Sequence, residues 1–593
     1  MSDYVAPTQD IQFVIEEIAE LESIAALPGY EDATSELVEA VLEQAGKLAA
    51  EVFAPLNHPG DEHGTRIENG VVVSPPGYAE AYRQFVENGW QGIGKSTAID
   101  GQGLPFLVHS AVAEMWYASN MAFALCPLLT SGAIEAIETH ATPELAQLYL
   151  PQMISGQWSG TMNLTEPQAG TDLAAIKTRA EREADHYRIR GQKIYITWGE
   201  HELSDNIVHL VLARLPDAPA GVKGISLFLV PKFLVNADGS KGERNDLRVV
   251  SVESKMGIHS SPTCVMAYGD NEGAIGYLIG EENNGLACMF TMMNNARLEV
   301  GMQGVAISER AYQQAVWFAK ERVQGIARGH SERSTIIHHP DVRRMLMQMR
   351  AITEAGRALS YYASAQTDLA HHAAAQDTRA AHQSRVDLII SIVKSWCTEM
   401  AQEATYTGVQ VHGGMGFIEE TGAAQYMRDA RILTIYEGTT GIQALDLMGR
   451  KMLRDKGQAM GLLIEELTAF SQQLSSADGD FALIAARFVP ALAAFETATA
   501  WYLQQVADDP DLGSAVGVDF TMMAGNLVCA WLMARAAFAA QKHIDAGSHD
   551  RFYRHKISTA VFFAERILPR SEALAAMVMS GSASAMSIAA DEF

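Results

Sequence analysis

The chain has 593 residues, 48% of them hydrophobic, which is too long for one core and apolar enough to fill several, so three or four domains are expected. Its 44 basic and 71 acidic residues leave a net charge of −27, arguing against nucleic acid and anionic membrane as partners. An anionic small substrate would need a local cluster of Arg or Lys to override that field.

The five cysteines, Cys126, Cys264, Cys288, Cys397 and Cys529, are scattered with no CxxC pair. They suggest neither a disulfide framework nor a thiolate metal site, and they fit a reducing compartment. The first ten residues hold no basic segment followed by an apolar stretch, so no secretory signal is expected and a cytoplasmic location is. The most apolar window, residues 521–540, contains Asn526 and Arg535 and reads as a buried helix. No membrane span is expected.

In chain order, residues 1–155 read as helical. Apolar positions recur at helical spacing over residues 36–48, 78–88 and 107–138. Residues 89–96, Gly-Trp-Gln-Gly-Ile-Gly-Lys-Ser, satisfy the letters of a phosphate-binding P-loop, which works only when a strand delivers it and a helix follows. Here a helix pattern precedes and Gly-Gln-Gly-Leu-Pro follows, so a nucleotide-triphosphatase is not expected.

Residues 156–283 change texture. Runs at 187–191, 193–197, 207–213, 225–230, 248–251 and 263–268 are short, β-branched or aromatic, and divided by turn residues, which predicts a compact antiparallel β domain. Residues 284–455 return to helical patterns, with helices over about 286–322 and 341–369, and a broad apolar face on Ile389, Ile392, Val393, Trp396, Cys397, Met400 and Ala404. His338, His339, His371, His372 and His382 fall in or near helix connections and lack a third ligand at metal spacing, so no metal is expected. Residues 456–593, with a stripe at Leu463, Leu467, Phe470 and Leu474, read as an extra helical domain.

One stretch is dense in punctuation. Residues 410–443 run from Gln-Val-His-Gly-Gly-Met-Gly-Phe to Ile-Tyr-Glu-Gly-Thr-Thr-Gly-Ile-Gln. Glu437 follows an apolar run, and a carboxylate desolvated there has a raised pKa and is a usable base near neutral pH. Equally, Gly-Thr-Thr-Gly could simply cap a helix starting near Ile442.

Seven segments in order, namely residues 164–172 (Leu-Thr-Glu-Pro-Gln-Ala-Gly-Thr-Asp), 193–197, 224–231, 255–258, 279–285, 410–417 and 435–439, resemble the flavin-dependent acyl-CoA dehydrogenases. The leading extension and helical tail resemble the larger bacterial branch, which includes 3-methylmercaptopropionyl-CoA and fatty acyl-CoA dehydrogenases. The resemblance implies a mostly α fold with a helical N-terminal domain, a central antiparallel, barrel-like β domain, a four-helix-bundle domain and the extra C-terminal helical domain. It implies FAD as cofactor and α,β-dehydrogenation of an acyl-CoA thioester to the trans-2-enoyl-CoA, as in fatty acid β-oxidation. Electrons would pass to an electron-transfer flavoprotein. An acyl-CoA oxidase using oxygen and a non-catalytic scaffold are the alternatives.

Carried over by position, the resemblance makes Glu437 the base that takes the α-proton, with Arg297, Asn294, Tyr436 and Gly438 at the substrate. The place where some members carry their base instead is Ala296. Arg297 would answer the charge problem posed by coenzyme A phosphates, or else pair with Glu299 on its helix. Met162, Leu164 and Thr165 would face the flavin pyrimidine edge, Gly170 and Thr171 the pyrophosphate, and Tyr195 to Thr197 the ring near N5, with Thr439 also at the cofactor. Without that company, residues 164–172 would read as an ordinary loop. Arg322, Gln410, Gly413 and Gly414 would form an adenine-side pocket for a neighbouring subunit's cofactor, so a homodimer is expected. The segment after Arg322 is one residue shorter than the family's common form.

Overall fold

The computed structural model describes residues 3–593; Met1 and Ser2, which open the segment 1–155, lie outside the described residues. Two compact units form. One comprises the residues up to Gly46 with Pro105–Ala118 and Val300–Phe593; the other comprises Lys47–Leu104 and Ser119–Glu299.

The first unit is helical. It contains α1 (Thr8–Glu17), residues 106–118 of α2 (Phe106–His140), residues 300–321 of α3 (Gly285–Glu321), and the long hairpin of α4 (Pro340–His372) and α5 (Gln376–His412). Ile389, Ile392, Val393, Trp396 and Met400 of α5 are buried, the spacing of three and four that one helix face demands. Gly304 lets α3 lie close to α5, since a Cβ there would fall 2.5 Å from the Cys397 carbonyl oxygen. Short α6 (Ala423–Ala430) and α7 (Thr440–Leu445) follow.

The tail adds α8 (Gln458–Ser475), α9 (Asp480–Gln505), α10 (Leu512–Asp545), α11 (Arg551–Arg566) and α12 (Arg570–Met579). Leu463, Leu467 and Leu474 are buried. The Trp396 indole N–H of α5 donates to Asn526 Oδ1 of α10 at 2.9 Å, which seats the tail against the bundle. A second tie is ionic. Arg357 of α4, 1% exposed, donates to Glu114 of α2 at 2.5 Å, to Asp10 of α1 at 2.5 Å and to Glu309 of α3 at 2.8 Å, and Lys556 of α11 reaches the same Asp10 at 2.7 Å.

The second unit is organised by a sheet of β1 (Trp158–Asn163), β2 (Arg179–Glu183), β3 (His186–Thr197), β4 (Asn206–Arg214), β5 (Ile225–Pro231), β6 (Leu247–Val252), β7 (Thr263–Tyr268) and β8 (Ala274–Ile279). Its order is β6-β7-β3-β8-β5-β4-β1, with β2 beside β3. Ile189, Val211, Phe228, Val230 and Met266 lie in its core. Every one of these pairings is antiparallel except that β4 meets both β1 and β2 in parallel. Strand β1 runs parallel because the chain returns through β2 and β3 before β4, so β1 and β4 are no hairpin. The alternation rule did not reveal β1, β2 or β8: β1 contains Ser-Gly, β2 is charged, and β8 holds Gly276. The two runs read over 187–197 are one bulged strand.

Residues 89–96 are not a phosphate loop. Helix Tyr78–Glu87 precedes them, and only short 3₁₀ turns, Trp90–Gly92 and Thr97–Ile99, stand where a strand and a helix would be needed. Among the described residues three helices, α2, α9 and α10, are long and apolar enough to cross a membrane by length and composition; 89%, 44% and 83% of their most apolar windows are buried within the protein. All five cysteines are buried and free.

Candidate active site

In the helical unit, α6 gives way to a 3₁₀ turn, Arg431–Thr434, and the chain then reverses through residues 435–438. Glu437 takes φ 54° and Gly438 φ 90°. Left-handed backbone is routine for glycine but costs a residue with a Cβ about 1–2 kcal/mol, and such strain persists only where the surroundings impose it. They do so here. Gln443 Nε2 donates to the Glu437 carbonyl at 3.0 Å, and Lys394 Nζ donates to the Gly438 carbonyl at 2.7 Å. Thr439 caps α7 by accepting from the Ile442 amide at 3.3 Å, and Thr440 Oγ1 donates to Glu399 Oε1 at 2.5 Å. The capping reading of Gly-Thr-Thr-Gly is therefore observed: Thr439 caps α7, and Glu437 stands two residues earlier, on its approach.

Glu437 is half-buried and Ile435 is 46% exposed, so the chain alone does not shield the carboxylate as the apolar run suggested. Ile435 and Thr439 are exposed while Tyr436 and Gly438 are half-buried, so the run's apolar character ends up partly at the surface. Tyr436 beside it hydrogen-bonds Gln303 of α3 through its hydroxyl. Burial, then the charge of Glu437, then that of Asp429, push its phenol well above the ordinary range.

At another place in this unit, Arg322, Gln410, Gly413 and Gly414 are all exposed. The ends of α3 and α5 are joined there by Phe318 against His412, ring centroids 4.4 Å apart. His412 Nδ1 lies 2.7 Å from the Gly408 carbonyl, so that nitrogen carries the proton, and burial lowers the imidazole pKa. Gly413 ends α5 at φ 59°. Phe417 at 85% exposed, Met415 and Ile418 leave an apolar surface beside these four residues.

In the β unit, the loop after β1 is knotted around one carboxylate. Glu166, 4% exposed, accepts from the Lys177 amide (2.7 Å), the Thr178 amide (3.0 Å) and hydroxyl (2.6 Å), Gln168 Nε2 (2.6 Å) and Lys193 Nζ (2.9 Å). Burial pushes this carboxyl up, but the Lys193 charge and these donors pull it further the other way, to about 2. Lys193 also donates to the Leu164 carbonyl at 2.9 Å, and the Ile194 amide to the Thr165 carbonyl at 2.9 Å, zipping the loop to β3.

Directly beyond that zip, β3 bulges: Lys193 opposes Met266 and Ile196 opposes Cys264, leaving Ile194 and Tyr195 against Val265 alone. Bulges re-aim side chains. Tyr195, at φ 60°, stands 61% exposed, and Thr197 is half-buried. Behind β1, Tyr268 donates to Asn163 (2.7 Å), Asn163 to Thr161 (2.8 Å), and Thr161 meets His209 Nδ1 (2.7 Å). These inward residues leave Met162 on the other face of the strand.

The amides of Thr165, Gly170 and Thr171 donate to no group among the described residues. Nothing lies within 4 Å of where a Cβ would be on Gly170, and Gly170 and Thr171 are exposed. A row of unpaired amides beside an open glycine suits a phosphate or the hydrogen-bonding edge of a planar ring. On α3, Arg297 is 4% exposed and its Nη1 lies 3.5 Å from Asn294 Oδ1; Ala296 is buried. Among the described residues no group of three His, Cys, Asp or Glu is placed to hold a metal.

Four side chains that build these places were not singled out in sequence: Glu166, Lys193, Lys394 and Gln443. The available signal was charge in an apolar context. Lys394 interrupts Ile-Ile-Ser-Ile-Val-Lys-Ser-Trp, and Lys193 opens Lys-Ile-Tyr-Ile; a lysine so placed is rarely buried without a partner.

Residues 35–157, 161–270 and 283–453 match the N-terminal, middle and C-terminal domain models of acyl-CoA dehydrogenase, and residues 463–589 match the acetyl-CoA dehydrogenase C-terminal-like model. The chain is 47% identical over 568 residues to 3-methylmercaptopropionyl-CoA dehydrogenase of Ruegeria pomeroyi, covering 95% of this chain and 96% of that one. It is 34% identical over 593 residues to the broad-specificity linear acyl-CoA dehydrogenase FadE5 of Mycobacterium tuberculosis, covering 96% of each. An acyl-CoA dehydrogenase of Bacillus anthracis solved in complex with FAD shares the fold, with a TM-score of 0.74, 22% identity and coverage of 96% and 91%.

Proposed function

Because the chain belongs to the acyl-CoA dehydrogenase family, we propose that it oxidises an acyl-CoA thioester at its α and β carbons with FAD as cofactor, and that Glu437 is the base. The observation that carries this reading is the strained presentation of Glu437. A left-handed glutamate held through its backbone, in a turn otherwise built to start a helix, is strain with a purpose.

The α-proton of a thioester is too weakly acidic for a carboxylate unless the developing enolate oxygen is stabilised, and one preorganised donor is worth about 3 kcal/mol. The backbone N–H of Glu437 is the donor we assign, so one residue supplies both base and oxyanion contact. Its carboxylate must be ionised to accept the proton; half-buried in the chain alone, it becomes a stronger base as bound substrate excludes water. Arg297 and Asn294 are assigned to the coenzyme A portion, with Tyr436 and Gly438 at the thioester. Arg297 there offsets, at close range, the repulsion of the phosphates by the net charge of −27.

When bound, FAD supplies the acceptor for the β-hydride. The residues of this chain fit it: the unpaired amides of Thr165 and Thr171 with open Gly170 offer donors to oxygen acceptors, Met162 and Leu164 line the adjoining strand end, and Tyr195 and Thr197 flank the bulge. Thr439 stands at the same turn as the base. Arg322, Gln410, Gly413 and Gly414 are assigned to the cofactor of a second copy, which makes the working unit a homodimer; their exposure beside uncovered Phe417 supports this. An electron-transfer flavoprotein is the proposed acceptor, and the domain limits 1–155, 156–283, 284–455 and 456–593 are the proposed division. The 3-methylmercaptopropionyl thioester and linear acyl thioesters are the first substrates to try.

The test is Glu437→Gln in flavin-loaded enzyme. It keeps the shape, so the protein stays yellow, and turnover with an acyl-CoA series falls at least about 1,000-fold. Turnover near the wild-type rate overturns the assignment. Slow reoxidation of the anaerobically reduced enzyme in air supports the dehydrogenase over an oxidase.

A further inference from the structure

Two buried side chains hold the turn that carries Glu437, and neither belongs to it. Lys394 lies in the middle of α5 with no exposed surface, and its ammonium donates to the Gly438 carbonyl oxygen at 2.7 Å. Gln443 lies on α7, equally buried, and its Nε2 donates to the Glu437 carbonyl oxygen at 3.0 Å. Two consecutive carbonyls, the first belonging to the residue at φ 54°, are thus each fixed by a side chain from a packed helix. The orientation of the Gln443 amide is settled by this contact. Its Nε2 must face the carbonyl, so its Oε1 points the other way, where it meets no donor among the described residues. Leaving a buried amide oxygen unsatisfied is costly, and packing for core filling alone would favour an apolar side chain there.

Further contacts stiffen the same frame. Gly438 faces the clamp so closely that a Cβ on it would sit 2.7 Å from Gln443 Nε2, and the Tyr436 hydroxyl is tied to Gln303 on α3. The residues before and after Glu437 are therefore anchored to α3 and α5 and its own carbonyl to α7, while the Glu437 side chain stays half-buried.

We propose that Lys394 and Gln443 are positioning residues for catalysis, a carbonyl clamp that keeps the Glu437 backbone left-handed and thereby aims both its carboxylate and its N–H. The proposal rests on the reading of Glu437 as the base. Neither clamp residue touches the reacting atoms in this role. Loosening either one lets residue 437 relax toward ordinary backbone, which displaces the base without removing it. A displacement near 1 Å costs about 100-fold in rate, so the effect belongs on proton removal rather than on affinity.

The experiment compares Lys394→Met, Lys394→Arg, Gln443→Leu and Glu437→Gln as flavin-loaded full-length enzymes with a dye acceptor, using a turned-over acyl-CoA and its α,α-dideuterated form. Expected for K394M and Q443L are a kcat lowered about 10- to 100-fold, KM within about threefold, unchanged flavin content, and a larger α-deuterium isotope effect than wild type. K394R, which still reaches the carbonyl with a charged donor, recovers most of the rate. A native kcat in both K394M and Q443L, or a rise in KM with kcat unchanged, overturns the clamp. Should K394M fail to fold, Q443L, which removes only a neutral amide, decides the matter by the same criteria. The two claims separate cleanly: an active E437Q sinks the base assignment, whereas an inactive E437Q beside native-like clamp variants sinks the clamp alone.

Discussion

Lys193 and Glu166 form an ion pair of 2.9 Å in which neither side chain is open to water, 0% and 4% exposed. The pair joins the loop after β1 to the bulged strand that presents Tyr195. Removing one partner of a buried pair strands the other charge and costs about 3–5 kcal/mol. Lys193→Met should therefore lower stability by that order in urea unfolding. It should also release the Leu164 carbonyl and weaken flavin retention, read as the flavin-to-protein ratio after gel filtration. Adding Glu166→Gln should restore part of the stability, because the stranded charge is gone, without restoring retention.

Asp368 gives a pH signature. Its carboxyl on α4 accepts from the Phe106 amide (2.8 Å) and the Leu107 amide (2.9 Å) at the start of α2, and from the Tyr30 hydroxyl (3.1 Å). Burial pushes it up to about 7 against those donors. A carboxyl whose folded pKa exceeds its unfolded value contributes stability that is full below about 4 and is lost as pH rises through 7. Thermal unfolding between pH 4 and 8 should show that decline. Asp368→Asn should flatten it, since the amide oxygen still accepts while the proton equilibrium is gone. An unchanged slope in the variant would refute the assignment.

Arg357 is the charged centre of the helical unit, and Glu114, Asp10 and Glu309 all depend on it. Arg357→Met leaves three carboxylates with one cation fewer, so a loss of about 3–5 kcal/mol is expected. Chemical denaturation at pH 7 checks its size, and a loss within about 0.5 kcal/mol of zero would refute it.

Gly525 marks where the tail meets the bundle. A Cβ on it would overlap the Trp396 ring, whose indole is already committed to Asn526. Gly525→Ala should cost about 1–3 kcal/mol by overpacking, seen as a lower Tm with a changed Trp fluorescence. A neutral effect would mean that α10 can slide on α5 at little cost.

The long helices were legible in sequence because apolar spacing of three and four is a local property. The expected helix over 341–369 is observed as Pro340–His372, and that over 286–322 as Gly285–Glu321. The strand at 263–268 coincides with its predicted run. Strands β1, β2 and β8 were missed because their partners, not their own composition, make them strands. The place of Glu437 was legible from its glycine-rich neighbourhood, but its exposure was not. An apolar run states what a segment can bury, and packing decides how much of it is buried.

What the sequence alone determined is the succession of helical, β and helical segments, the glycines that permit left-handed turns, and the carboxylate between them, because periodicity and backbone permissiveness act over a few residues. Only the tertiary structure decided that Lys394 would meet a carbonyl 44 residues further on, that Lys193 would hold a loop 29 residues back, and that Gln303 and Tyr436, 133 apart, would touch. The physical reason is that a buried polar group must find a partner wherever packing brings one, and no local pattern records which distant one that will be.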